Sequence, residues 1–122
     1  MWMAIMLAVL ISMESKGKVD ALGKHGEVGC LQITPVMVDE VNRILRVREV
    51  DKRYKYIDRY DRQKSEVMAK LYFSYYKPRT PRQYAELWNG GPSGIKRPTL
   101  ATRHYADRVV LKMEEALSCE AY

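Results

Sequence analysis

The tightest constraint on this chain lies at its amino end. Residues 2–11 carry no charge and no proline or glycine, so residues 3–14 read as a helix that is apolar nearly all round, the pattern of a central buried helix. One carboxylate, Glu14, follows the apolar run, and then Gly17, Gly23, Gly26 and Gly29 fall within a short polar stretch. Closely spaced glycines imply tight turns or close backbone approach. Such a chain has to build a core around its first helix and then turn sharply, in a loop or small hairpin from which Cys30, Leu31, Gln32 and Ile33 re-enter the core. A carboxyl at that junction has an apolar wall on one side and open loop on the other. The wall disfavours the ionised form, raises the pKa and suits the group to donate a proton near neutrality.

The remaining chain reads as helices. Thr34 and Pro35 suit the N-cap and first position of a second helix, whose buried face is Val38, Val41, Ile44 and Leu45. Asp39 and Glu40 near its start, and Arg46 and Arg48 near its end, match the helix dipole. Residues 52–60 mix charge with tyrosine without a period and read as loop. Asp61 caps a third helix running to about Tyr76, with Val67, Met68, Leu71, Tyr72 and Tyr75 as its apolar stripe, and Lys77-Pro78 stops it. Thr80-Pro81-Arg82-Gln83 is a capping box opening a helix with Tyr84, Leu87 and Trp88. Asn89-Gly90-Gly91-Pro92 ends that helix, and residues 93–98 read as loop. A last helix starts near Thr99 or Thr102 and carries Tyr105, Val109, Val110, Met113 and Leu117. The expectation is a mainly α domain of five helices spanning residues 1–122, with a glycine-rich loop or small hairpin after the first.

Length and composition agree with one globular core: 122 residues, 47% hydrophobic and 30% charged, which argues against disorder. Tyrosine outnumbers phenylalanine nine to one, and its apolar ring with a polar tip suits half-buried, groove-lining positions as well as cores. The net charge of +6 favours an anionic partner, among which nucleic acid, acidic membrane and cell-wall polymer all qualify. Cys30 and Cys119 lie far apart with no CxxC or Cys/His spacing, so neither a zinc site nor a disulfide framework is indicated; one bridge stays open for a protein working outside the cytoplasm. His25 and His104 share no ligand spacing, and no metal or other cofactor is expected. Residues 2–11 are similar to the apolar region of a signal peptide, but no basic residue precedes them, no small-x-small site follows, and they are too short to span a bilayer. A core helix is the favoured reading, a signal anchor the minor one, and no stable membrane span is expected.

Four stretches fall into a telling order. Glu14-Ser15 ends the apolar helix; Gly26-Glu27-Val28-Gly29-Cys30-Leu31-Gln32-Ile33-Thr34-Pro35 follows; Trp88-Asn89-Gly90-Gly91-Pro92 closes a capped helix; Tyr105-Ala106-Asp107-Arg108-Val109 lies on the last one. Together they resemble the catalytic domain of soluble lytic transglycosylases, in the superfamily that includes goose-type lysozymes, over nearly the whole chain from Ile5 to about Leu111. The resemblance implies a lysozyme-like helical fold and cleavage of peptidoglycan between N-acetylmuramic acid and N-acetylglucosamine. It places the catalytic glutamate at Glu14 and substrate contacts at Ser15, Gln32, Trp88, Asn89 and Tyr105. Trp88 departs from the family's usual tyrosine, and Cys30 from its usual leucine. It implies no cofactor, peptidoglycan strands as the partner, and a site of action at the cell wall, whether periplasmic, extracellular or phage-delivered.

Each position also has a plainer reading. Glu14 taken alone is a solvated helix-end carboxylate, and Ser15 a helix-end cap. The Gln32 amide can be tied to nearby backbone, Asn89 can serve as a helix C-terminal residue, and Trp88 and Tyr105 can pack in the core. Glu27 departs from the small residue usual in the family. As a second carboxylate it could activate water across the sugar ring, as in inverting hydrolysis with carboxyls roughly 6.5–9.5 Å apart; Asp20 and Asp39 are weaker candidates, and a solvated loop charge is the alternative. A hydrolytic muramidase is therefore the neighbouring reading. A small basic nucleic-acid-binding protein is the reading from another class, supported by Tyr/Arg interleaving over residues 53–62 but by no binding motif. Arg43, Arg46, Arg48, Lys52, Arg53 and Lys55 read as a solvated face that also favours an anionic polymer.

Overall fold

The computed structural model describes residues 2–120, with side chains through Ser118. Among the described residues six α-helices follow one another: α1 (Trp2–Ser15), α2 (Pro35–Val47), α3 (Arg62–Tyr76), α4 (Pro81–Gly90), α5 (Pro92–Lys96) and α6 (Leu100–Glu120). A 3-10 turn, Tyr56–Tyr60, precedes α3. The fold is mainly helical, as the periodicity implies. Among the described residues the hairpin reduces to two single antiparallel bridges, Leu22 with Val28 and Val28 with Ile33.

The chain divides into two compact units, Ile11–Tyr75 and a second formed by Met1–Leu10 with Tyr76–Tyr122. The boundary falls inside α1. That helix buries Met6, Leu7, Val9, Leu10 and Ile11, but Ala4, Ala8 and Ser12 are exposed. Spacing of four residues puts those three on one face, so α1 is open along a strip of small side chains rather than buried all round. Hydropathy alone cannot report this, because alanine counts as apolar yet has little surface to hide.

In the first unit, the Thr34 hydroxyl accepts from the Met37 N–H at 3.1 Å and Pro35 occupies the first turn of α2. Val38, Val41, Ile44 and Leu45 are buried, as the spacing predicts. Behind α2 the chain doubles back. The Asn42 amide donates to the Tyr54 carbonyl at 2.9 Å and accepts from the Tyr54 N–H at 2.8 Å, so one side chain replaces a missing backbone pair. The expected loop over residues 52–60 instead ends in the 3-10 turn, which is closed by Asp58: its carboxylate accepts from the Lys55 N–H at 2.8 Å and from Lys64 Nζ at 3.1 Å. The backbone donor first, and Lys64 after it, hold the Asp58 carboxyl below its usual range.

Asp61 caps α3, accepting from the Lys64 N–H at 2.9 Å. The buried face of α3 is Ser65, Met68, Ala69, Tyr72 and Phe73, while Val67 is 42% exposed. The stripe is thus rotated from the one expected. Ser65 is polar and fully buried, and its hydroxyl donates to the Arg59 carbonyl at 3.0 Å, which removes the penalty for burying it.

In the second unit α4 packs against α5 and α6. The Thr80 hydroxyl accepts from the Gln83 N–H at 3.2 Å, while the Gln83 side chain reaches back to the Arg79 N–H at 2.7 Å, one residue before the position a capping box uses. Of residues 93–98, expected as loop, only the last two are irregular, and 93–96 belong to the short α5. Its Gly94 lies so close to α4 that a methyl group would stand 2.6 Å from the Glu86 carbonyl oxygen. α6 opens on Thr99, whose hydroxyl accepts from the Thr102 N–H at 3.1 Å, and buries Thr102, Tyr105, Ala106, Val109 and Met113 while leaving Leu117 39% exposed. Trp2 meets Tyr84 edge to face at 4.9 Å between ring centroids. Among the described residues no helix is long and apolar enough to cross a membrane. Cys119 lies outside the described side chains, so the question of its pairing with Cys30 does too.

Gly29 has φ +88°, and a methyl group there would run into the Arg59 carbonyl oxygen, whereas Gly17 has φ +86° with open space around it. Gly29→Ala should therefore lower stability by roughly 2–4 kcal/mol in urea unfolding, and Gly17→Ala by only about 1 kcal/mol. Because the folded-state pKa of Asp58 is lowered, its contribution is present above the unfolded pKa and is lost as pH falls through the folded value. Asp58→Asn should accordingly lose less stability than the wild type between pH about 6 and about 3, measured by thermal unfolding.

Candidate functional site

The Ile11–Tyr75 unit holds Glu14, Ser15, Glu27 and Gln32; Trp88, Asn89 and Tyr105 belong to the other unit. Glu14 occupies the last turn of α1 and is half-buried. Its neighbour Ser15 is 8% exposed, and its hydroxyl donates to the Cys30 carbonyl at 2.7 Å and accepts from the Gly17 N–H at 3.1 Å. This is more than helix-end capping. One hydroxyl joins the turn that carries Glu14 to the segment that carries Gln32, reaching a carbonyl fifteen residues on from Ser15, and it also lies 3.2 Å from the Ile11 carbonyl of its own helix.

Gln32 sits in the left-handed region at φ +52°, a conformation that costs a non-glycine residue about 1 kcal/mol or more and that recurs at functional sites. Its amide nitrogen donates to the Ala21 carbonyl at 3.1 Å and the Gly29 carbonyl at 2.9 Å. Two carbonyl neighbours can only be met by the two N–H groups, which fixes the amide's orientation. The backbone-tied alternative thus holds for the donors. The Gln32 carbonyl oxygen takes no protein donor among the described residues and remains an acceptor; it lies over Gly23, where a β-carbon would stand 2.8 Å from it and 2.6 Å from a Glu27 carboxylate oxygen.

Glu27 is half-buried, and its other oxygen accepts from the His25 N–H at 2.7 Å. With the Gly23 N–H donating to the Glu27 carbonyl at 2.8 Å, this carboxylate closes a tight turn. Asp39, another candidate base, accepts from the Tyr56 hydroxyl at 2.8 Å, and Asp20 is exposed. Cys30 is 1% exposed, and burial pushes its thiol above the usual range, so it is a small neutral core residue.

In the second unit Asn89 is exposed at the end of α4, and its side-chain oxygen accepts from the Thr102 hydroxyl of α6 at 2.8 Å. Its amide donors take no protein partner among the described residues. Trp88 and Tyr105 are 9% and 6% exposed, in keeping with core packing, and the Arg108 guanidinium lies 6.0 Å from the Tyr105 ring centre. Among the described residues no group of three or more His, Cys, Asp or Glu is placed to hold a metal ion.

One residue of this region escapes sequence reasoning. Arg59, 8% exposed, donates from Nη1 to the Gly26 carbonyl at 2.7 Å and the Ile33 carbonyl at 2.9 Å, and from Nε to the Tyr56 carbonyl at 2.8 Å. In sequence it is one of four basic residues between positions 53 and 62, and nothing local separates it from Arg53, Lys55 or Arg62. No family model matches the chain, and no curated protein or solved structure matches it either.

Ser15→Ala, which leaves the buried Cys30 carbonyl without its donor, should cost about 1–3 kcal/mol. Gln32→Glu should cost at least as much at neutral pH, because it sets carboxylate oxygens against two carbonyl oxygens. Chemical denaturation of both variants against Arg103→Ala, an exposed change expected to stay within about 0.5 kcal/mol, checks both.

Proposed function

We propose that this protein is a peptidoglycan lytic transglycosylase, cleaving the β-1,4 bond between N-acetylmuramic acid and N-acetylglucosamine with Glu14 as the single catalytic acid and base. The observation that carries the reading is the Ser15–Cys30 hydrogen bond. It ties the helix turn bearing Glu14 to the loop bearing Gln32, two of the four stretches whose sequence resembles the family. In this reading Glu14 protonates the glycosidic oxygen as the bond to the muramic C1 breaks. The resulting carboxylate takes the proton of the C6 hydroxyl of the same sugar, and that oxygen closes a 1,6-anhydro ring on C1 without water. The free carbonyl oxygen of Gln32 would accept from a sugar hydroxyl or acetamido N–H. The left-handed backbone at Gln32 supports a functional role, since a strained residue persists only where its surroundings hold it.

A hydrolytic muramidase needs a second carboxylate to activate water. Glu27 is the leading candidate for that task, but one of its oxygens is engaged by the His25 N–H within its own turn, which favours the single-carboxylate mechanism. The nucleic-acid reading loses much of its footing as well: of the interleaved basic residues Arg59 is buried, Arg62 pairs with Glu66 at 3.2 Å, and neighbouring Lys64 pairs with Asp58 at 3.1 Å.

Digestion of purified peptidoglycan followed by mass analysis of the products tests the proposal. Products should end in anhydromuramic acid, one water lighter than the reducing sugar. Glu14→Gln should lower the rate by roughly 10²–10⁴-fold, and Glu27→Gln, at a temperature where it is folded, should leave the product unchanged. Reducing-end muramic acid would establish hydrolysis instead, and an inactive wild type that binds the wall would reduce the chain to a wall-binding role.

A further inference from the structure

Resting on that reading, we propose that Arg59 is a positioning residue for catalysis: its guanidinium holds the loop bearing Gln32 in register with the helix turn bearing Glu14. Arg59 is set apart by what it lacks. It is buried, and its polar partners are three carbonyl oxygens, with no carboxylate beside it among the described residues. A buried cation without an anion is costly, and an apolar side chain of similar volume would fill the space without that cost. The hydrogen bonds therefore have to achieve something that packing would not.

What they achieve is loop geometry. Gly26 and Ile33 flank the segment containing Glu27, Gly29, Cys30 and Gln32, and one guanidinium nitrogen gathers both flanking carbonyls. The segment is also pressed from outside, because the Arg59 backbone carbonyl abuts Gly29 so closely that only a residue without a β-carbon fits. Ser65 secures that carbonyl from α3. Nε fastens the same guanidinium to the Tyr56 carbonyl, and the Tyr56 ring lies 5.7 Å from it. Inside the segment, the Gly29 carbonyl receives the Gln32 amide and the Cys30 carbonyl receives Ser15. Arg59 thus acts on Gln32 and on the Glu14 turn through the backbone of this segment, without touching substrate. Lysine cannot replace it: a single ammonium lacks the planar fork that meets carbonyls in several directions.

The test uses Arg59→Lys and Arg59→Ala in the full chain, each studied well below its own unfolding midpoint. The side-chain amide protons of Gln32 report the loop directly by NMR, independently of any substrate. Their exchange with solvent should be faster in both variants. Turnover per folded molecule, followed as anhydromuramic product, should fall roughly ten- to a hundredfold in kcat, with millimolar guanidinium partly restoring Arg59→Ala and leaving Glu14→Gln unmoved. A role confined to stability would move neither kcat nor KM of the folded fraction. Unchanged Gln32 amide exchange in Arg59→Lys overturns the inference, as does faster exchange with wild-type turnover. A wild type that forms no anhydro product overturns the functional reading and the catalytic part of the inference together, while the amide exchange still decides whether Arg59 holds the loop.

Discussion

The Ile11–Tyr75 unit depends on one buried cation satisfied by backbone oxygens. Arg59 faces the carbonyls of Gly26, Ile33 and Tyr56, so its desolvation is offset by charge-assisted hydrogen bonds to neutral acceptors rather than by an ion pair. Such an arrangement constrains the acceptors more than the donor. The carbonyls of Gly26 and Ile33 have to stay within reach of one planar group from far along the chain, and the irregular segment between them inherits its shape. A glycine-rich loop has high conformational entropy when free; here much of its order comes from a residue some thirty positions downstream.

The same loop shows how local and distant forces divide the work. Glu27 closes its turn through the His25 N–H, and Gln32 folds its amide back onto Gly29 and Ala21. These are short-range bonds of the kind polar loop residues make readily. Ser15, by contrast, reaches across to the Cys30 carbonyl, joining two elements that sequence proximity does not join. The result is a candidate site in which Glu14 stands on a regular helix, and its neighbour is fastened to a loop whose amide donors are already committed. Only acceptor capacity is left at Gln32, which narrows what a ligand could offer it.

Helix starts were the most legible feature of the chain. Thr34-Pro35, Asp61 and Thr80-Pro81 each cap where their chemistry says they should, because a capping bond lies within four residues and needs no tertiary partner. Buried faces were less legible. Apolar spacing located the face of α2 but misplaced that of α3, where Ser65 and Ala69 are inside and Val67 is out. A serine becomes a core residue only when another element supplies an acceptor, and periodicity carries no information on that. The exposed strip Ala4, Ala8 and Ser12 on α1 escaped for a related reason: small side chains are nearly neutral between inside and outside.

By itself, then, the sequence determined that the chain is helical, where most helices begin, and that Glu14 and Gln32 sit beside a glycine-rich turn. All of this follows from interactions within a few residues. Only the tertiary structure decided that the Ser15 hydroxyl reaches the Cys30 carbonyl, and that Arg59 rather than Arg53 or Arg62 is buried against the loop. Those outcomes depend on which distant carbonyls happen to lie within about 3 Å of a polar group, and a linear chain does not encode that distance until its helices have packed.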